Sequence, residues 1–406
     1  MSPSLPLDTV SVIGLGYIGL PTAVTFTLAG YTVCGFDINE KVVESLNGGH
    51  IHIVEPGLQD ALTKALATGR LHFSTKPEPA DVFIICVQTP YRDTEEGKRV
   101  SDMRFVESAA RSVGGVLRAG NLCVLESTSP PYSTRLVESI VSEVSGLAAE
   151  EFMTAHCPER IIPGRMLIEL RENDRIVGAT RPEAAEYAKE IYSPVVTKGT
   201  IRVTDDLTAE MCKLVENTFR DINIAYANEL SKVCDRLGID VFQLIKLANC
   251  HPRVNVHNPG VGVGGHCIAV DPWFIHEKFE DITPLIYQAR LVNDSKPAWV
   301  ADRVEKDVAP GSTVAVLGMS FKANIDDIRE SPSVELAKIL KERGYQVIAC
   351  EPFIEGDVAG FANHTLDEVL EQSDYAVITL MHDPFKVAKE KIAAKPHFDC
   401  VGLLEQ

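Results

Sequence analysis

The run TVSVIGLGYIG, residues 9–19, constrains the fold more than any other part of the chain. Its β-branched start reads as a buried strand, and Gly14, Gly16 and Gly19 follow at the spacing of a turn that opens a helix. In such a turn the first glycine permits a tight bend and the second lets a pyrophosphate approach the backbone. The third lets helix and strand pack closely. The helix that begins there offers unpaired N–H groups and partial positive charge to phosphate. A second strand, YTVCGF, ends at Asp37, whose carboxylate suits the hydroxyls of an adenosine ribose and repels a 2′-phosphate. The expected cofactor is therefore NAD rather than NADP. Lys41, Thr89, Pro90 and Thr128 follow strand ends or the ribose acid, where ligands of open sheets collect, although loop capping explains Thr89 and Thr128 equally well when each is taken singly.

Strand and helix signals go on alternating beyond this point, with ADVFIICVQTP and NLCVLESTSPP as further buried strands. That pattern predicts a parallel sheet with helices on both faces. From about Thr208 the texture changes: residues 208–250 hold no proline and no glycine but Gly238, and their apolar residues recur at helical spacing. A loop rich in Gly, His and Pro follows, then more helix through residue 308. Pro310 and Gly311 mark a return to α/β texture in STVAVLGMSFK, YQVIACEP and SDYAVITLMH. The fold class expected is α/β, in three parts. An N-terminal Rossmann dinucleotide-binding domain takes residues 1–198, a central helical dimerisation segment 199–308, and a C-terminal Rossmann-like domain 309–406.

Acidic residues outnumber basic ones by 57 to 39, a net charge of −18 that repels phosphate backbones and anionic bilayers. Nucleic acid and membrane are not expected partners. No apolar run reaches the length of a membrane span, and Met1–Thr9 lacks a basic leader pattern. Ten cysteines without CxxC spacing, several inside apolar strands, point to reduced thiols in the cytoplasm, with no disulfide framework and no metal site.

Cys267 differs from the other cysteines. It follows Gly262, Gly264 and Gly265, which let the backbone approach a ligand, and it precedes Asp271 by four residues. A thiol in a glycine loop is a candidate nucleophile, weighed evenly here against a structural cysteine. His266 reads as a loop-ordering or substrate-contacting residue rather than a base. On the long helix Lys213, Asn217 and Arg220 fall within about 60° of one another, a single polar stripe. Lys and Asn there can stabilise a developing oxyanion. HCPERIIPG adds Glu159 as a base and Arg160 as an anion ligand, and HPRVN adds His251 and Arg253. NAD and a thiol together suit one reaction. An alcohol loses a hydride to become an aldehyde, sulfur adds to that carbon, and a second hydride loss leaves a thioester for water to cleave.

GLGYIGLP, ESTSP, HCPERIIPG, EMCKLVENTFRDINIAYANEL, GVGGHCIAVDPWF and FKANIDDIRES, in this order, resemble the successive signatures of the UDP-glucose/GDP-mannose dehydrogenase family over nearly the whole chain. HCPER and GGHCIAVDPWF are most similar to the branch that oxidises the C6 hydroxyl of UDP-N-acetyl-D-mannosamine to the uronate used in surface polysaccharides. Gln88 and Ala179 depart from the usual Pro and Gly, and the tail CVGLLEQ is atypical.

The resemblance implies Cys267 as nucleophile, Lys213 and Asn217 at the oxyanion, and Glu159, Asp271 and Thr128 as further catalytic residues. It implies NAD contacts at Tyr17, Ile18, Asp37, Thr89, Thr128 and Arg329. Substrate contacts are implied at Arg160, Ile161, Arg220, His251, Arg253, Gly264, Phe321 and Lys322, beside Lys213 and Asn217. It further implies a UDP-binding C-terminal domain and a homodimer through the central helices. The alternatives are UDP-N-acetylglucosamine or UDP-glucose as substrate, a β-hydroxyacid dehydrogenase, and a non-catalytic nucleotide-sugar sensor.

Overall fold

The computed structural model describes residues 9–95, 98–162 and 164–405. The segment ahead of Thr9, Pro163 within HCPERIIPG and the terminal Gln406 lie outside the described residues. The chain gathers into two compact units. One runs to Val215 and adds Trp273–Lys278; the other joins Glu216–Pro272 to the chain from Phe279 onward.

The first unit is built on β1 (Thr9–Ile13), β2 (Thr32–Phe36), β3 (Leu71–Ser74) and β4 (Val82–Ile85). A small antiparallel hairpin follows, β5 (Tyr91–Asp93) with β6 (Arg99–Ser101). Then come β7 (Leu122–Leu125), β8 (Met153–His156), β9 (Arg175–Ala179) and β10 (Ile201–Asp205). All but the hairpin form one sheet in the order β10-β9-β8-β7-β4-β1-β2-β3. VFII and LCVL are buried at every position because helices cover both faces of the central strands. Val10, Val12, Val33 and Ile84 build one face's core, and Ile13, Phe83, Ile85 and Leu125 the other's. The first helix, Gly19–Leu28, is buried from Gly19 through Thr27.

The alternating pattern predicts parallel pairing throughout, yet β9 runs antiparallel to β8, with Ala155 opposite Ala179 and His156 opposite Gly178. The connection between them is the loop after Glu159 and a helix of seven residues, Met166–Glu172. Strands β3, β9 and β10 and the hairpin carry too few apolar residues for the sequence to announce them.

The long helix is Asp206–Leu237, 32 residues, ended by Gly238 at φ 68°. Its first turns belong to the first unit. There Glu210 accepts from the N–H groups of Tyr132 and Thr134 at 2.7 Å each, and Asp206 pairs with Arg135 at 2.6 Å. Helix Val241–Ala248 follows, capped by Asp240.

The second unit holds a parallel sheet of β11 (Thr313–Leu317), β12 (Gln346–Cys350), β13 (Tyr375–Ile378) and β14 (His397–Asp399), in the order β12-β11-β13-β14. Val300, Ala301 and Val304 of helix Lys296–Asp307 share one core with Val314, Val316 and Val377. The atypical tail is packed: Cys400 and Leu403 are buried, and Asp399 accepts the N–H groups of Val401, Gly402 and Leu404.

Candidate functional site

In the first unit, the turn after β1 forms as the glycines require. Gly14 has φ 88°, and its N–H donates to the Phe36 carbonyl at 2.8 Å. A Cβ at Gly19 would lie 1.7 Å from the Gly14 carbonyl oxygen, so only glycine allows the helix this close to the strand. A Cβ at Gly16 would meet nothing within 4 Å; that face of the turn is open. Tyr17 and Ile18 rest on the core beside it. Asp37 is fixed by the N–H groups of Leu15 and Asn39, each at 2.9 Å. Lys41 is exposed in the following helix, and Thr89 donates its hydroxyl to the Thr128 carbonyl at 2.7 Å, so those two come together.

Glu159 stands at the end of a buried charge chain that the sequence pattern does not reveal. Arg175 reaches Glu126 at 2.9 Å and Glu159 at 2.5 Å, and all three are at least nine-tenths buried. Glu159 also accepts from the N–H groups of Arg160 and Ile161, at 2.6 and 3.1 Å. Burial pushes the Glu126 carboxyl up despite Arg175, while the two carboxylates keep Arg175 charged against its own burial. The signal the sequence does carry is a charge set against a short apolar stretch in each case, Glu126 just after LCVL and Arg175 just before Ile176 and Val177. Glu55, equally unmarked in the sequence, accepts from the N–H groups of Gly164 and Met166 and so pins the loop after Arg160. Arg160 itself donates to the Asp174 carbonyl at 3.0 Å.

In the second unit, the Cys267 carbonyl accepts from the Asp271 N–H at 2.9 Å, which places the exposed thiol one turn ahead of the helix Asp271–His276. Asn217 donates from Nδ2 to the Asp271 carboxylate at 2.5 Å, and both residues are buried. The two candidates therefore meet, and Lys213 lies one turn earlier on the Asn217 helix. Gly262, Gly264 and Gly265 serve a purpose the sequence did not suggest. A Cβ at Gly264 would lie 2.4 Å from the Glu330 carbonyl oxygen, and one at Gly265 would lie 2.8 Å from the Phe321 ring. The close approach they permit is to protein, the segment around Phe321 and Glu330. His266 lies edge-on to Phe321, its pKa lowered by burial and by Arg329. Arg220, His251, Arg253 and Lys322 are exposed, and Arg329 pairs with Asp327 at 2.6 Å. Among the described residues, one group with three potential metal ligands was not anticipated: Cys34, His72 and Glu78, whose donor atoms lie within 4.8 Å of one another.

Three family profiles cover the chain in order. The NAD binding domain of the UDP-glucose/GDP-mannose dehydrogenase family matches residues 8–196, its central domain 207–295 and its UDP binding domain 315–406. A UDP-N-acetyl-D-mannosamine dehydrogenase of Yersinia pestis is 44% identical, the match covering 95% of this chain and 96% of that one. The chain belongs to the UDP-glucose/GDP-mannose dehydrogenase family. An NDP-N-acetyl-D-galactosaminuronic acid dehydrogenase of Ralstonia nicotianae is 43% identical over 99% of this chain and 98% of its own length. The solved UDP-D-ManNAc dehydrogenase of Pyrococcus horikoshii superposes with a TM-score of 0.89 at 38% identity, covering 97% of this chain and 96% of that one.

The family's NAD-binding domain and its glycine turn agree physically. The turn is closed at Gly14 and Gly19, where protein packs on protein, and open at Gly16, where a pyrophosphate needs room. Asp37 presents a half-buried carboxylate already oriented by two N–H donors, suited to a ribose diol. The glycine turn and Asp37 lie in the first unit, and Cys267 lies in the second.

Proposed function

We propose that this dehydrogenase oxidises C6 of UDP-N-acetyl-D-mannosamine to the carboxylate, taking two hydrides per sugar. The observation that carries the chemistry is the contact of Asn217 with Asp271, one turn after an exposed Cys267. The mannosamine dehydrogenases of Yersinia pestis and Pyrococcus horikoshii support the sugar. NAD, when bound at the turn after β1, accepts the hydride.

The chain's own residues do the rest. Lys213 and Asn217 stabilise the C6 oxygen as it gains charge. The Cys267 thiolate then adds to the aldehyde carbon, making it tetrahedral, so that loss of the second hydride leaves a thioester. Water, activated by Asp271 or Glu159, breaks the carbon–sulfur bond and regenerates the thiol. Asp271 also fixes the amide plane of Asn217, so the oxyanion donor is set before substrate arrives. Thr128 and Thr89 line the cofactor side, while Arg160, Ile161, Arg220, His251, Arg253, Gly264, Phe321 and Lys322 hold the sugar nucleotide. Arg329 contacts the cofactor.

The enzyme works as a homodimer. Val215, Phe219, Tyr226, Val233 and Leu237 are each at least half exposed and fall within about 40° of one another on the long helix. That apolar seam lies about 150° round the helix from Lys213, Asn217 and Arg220. A second copy of the helix is the occupant it fits. Among the described residues no helix is long and apolar enough to cross a membrane, and ten free thiols suit a reducing cytoplasm.

The test is stoichiometry on a sugar panel. Two NADH per UDP-N-acetyl-D-mannosamine support the reading, with Cys267→Ser stalling at or after the aldehyde. One NADH with released aldehyde sinks it. Because the Ralstonia relative is named for a galacto sugar, UDP-N-acetyl-D-galactosamine belongs in the panel, beside UDP-N-acetylglucosamine and UDP-glucose. Higher turnover on any of these reassigns the substrate. Phe219→Glu should convert the dimer to monomer in sedimentation; an unchanged mass removes the seam as interface.

A further inference from the structure

Between β11 and the helix Pro332–Glu342 lies the loop that carries Phe321 and Lys322. It bends at Asn324, which sits at φ 64°, a left-handed conformation that asparagine adopts more readily than most other side chains. Two contacts hold it from one neighbouring segment. The Asn324 N–H donates to Nδ1 of His382 at 2.9 Å, and the Asp383 N–H donates to Asn324 Oδ1 at 2.9 Å. On its other side His382 places Nε2 3.1 Å from Glu351 Oε2. Glu351 in turn accepts from the N–H groups of Met319 and Ser320 at 2.8 and 2.9 Å. His382 is 0% exposed and Glu351 2%, with the rings of Phe353 and Phe385 each 5.2 Å from the imidazole.

This geometry fixes the tautomer. Nδ1 accepts from an amide, so it carries no proton, and the neutral ring keeps its proton on Nε2, where Glu351 accepts it. An imidazolium would set two N–H donors against each other at Asn324. Burial raises the Glu351 carboxyl, but its contact with His382 and the two loop N–H groups outweigh it and hold the acid below its ordinary value. Glu351 is therefore an anion turned inward, and His382 is the link between it and the loop.

We propose that His382 is a positioning residue for UDP: its Nδ1 lone pair fixes Asn324, and with it Lys322 and Phe321 in the place where the nucleoside diphosphate docks. The ring itself is sealed from ligand. The proposal rests on the reading that this loop binds the nucleotide.

Two isosteres separate positioning from packing. His382→Asn puts an amide oxygen near the place of Nδ1 and keeps an acceptor for Asn324. His382→Gln reaches Glu351 with its amide N–H and leaves the Asn324 N–H without an acceptor. UDP affinity is measured by calorimetry on the full chain, with KM, kcat, NAD affinity and melting temperature recorded for each variant. The expected result is a rise of about tenfold in the UDP Kd and the UDP-sugar KM for His382→Gln, with kcat and NAD affinity near wild type. His382→Asn should stay within about threefold of wild type. The reverse order, no change in either, or equal losses in both overturns the proposal, as do losses that merely follow melting temperature. Lys322→Met checks the underlying reading. If it leaves UDP affinity unchanged, the loop assignment falls and takes the proposal with it; if it weakens UDP while His382→Gln does not, the positioning role alone falls.

Discussion

In the first sheet the Leu15 N–H meets Asp37 Oδ2 at 2.9 Å; in the second the Met319 N–H meets Glu351 Oε2 at 2.8 Å. Each acid stands just after the second strand of its sheet, and each preceding glycine has positive φ, 88° at Gly14 and 99° at Gly318. Gly14 donates to the Phe36 carbonyl at 2.8 Å and Gly318 to the Cys350 carbonyl at 2.9 Å. The turn is the same, but the chain leaves it differently. After Gly14 the helix begins at Gly19, because that glycine lets it sit on the Gly14 carbonyl. After Gly318 the chain has no glycine until Gly344, and its helix starts only at Pro332. Without the close approach, the turn opens into a long loop that needs an internal tether. Asp37 keeps a half-exposed carboxylate for a ligand, whereas Glu351 spends its own on the loop and on His382. One backbone device thus leaves an open carboxylate beside a glycine turn in one sheet and an internally tethered loop in the other.

The largest expected effect breaks the first turn. Gly19→Val must displace a backbone carbonyl 1.7 Å away, and should cost more than ~3 kcal/mol in urea unfolding while abolishing NAD binding. Gly318→Ala brings a Cβ to 2.6 Å from Leu380 Cβ and holds it at φ 99°, a side-chain clash rather than a backbone one, so its cost should be about 1–3 kcal/mol with NAD affinity kept. If Gly318→Ala proved the costlier change, the two turns would not differ as described.

Next come the two acids. Asp37→Asn removes charge from hydrogen bonds worth about 1.5–3 kcal/mol and should raise the NAD Kd at least tenfold without touching UDP affinity. Glu351→Gln should do the opposite, weakening UDP and sparing NAD. Calorimetry with both ligands on both variants settles it, and any crossed loss would merge the two roles.

A smaller effect is a pH signature. The Glu351 carboxyl titrates below its ordinary value of 4.5 in the folded protein. The stability it contributes is therefore full above the unfolded value and fades as pH falls through the folded one. Acid unfolding should show the gap between wild type and Glu351→Gln narrowing below about pH 4.5. A gap constant down to pH 3 would mean the acid is not ionised in its pocket. Smallest of all, Thr89→Val loses one hydroxyl bond to the Thr128 carbonyl, about 0.5–1.5 kcal/mol, read as a modest loss of stability or NAD affinity.

Spacing along the chain made the glycine turn, Asp37, the polar stripe on the long helix and the Cys267 loop legible, because each depends on a period of 2 or 3.6, on a fixed offset from a strand end or, for Cys267, on a local cluster of glycines. Those rules act locally, and the sequence contains them whole. Arg175 between Glu126 and Glu159, the Asn217–Asp271 contact, the antiparallel turn of β9 and the His382–Glu351 tether were decided by the tertiary structure. Each joins residues far apart in sequence, where no period connects them. What selects such pairs is the cost of burying a charge or an N–H group without a partner, and that cost exists only once folding has removed the water.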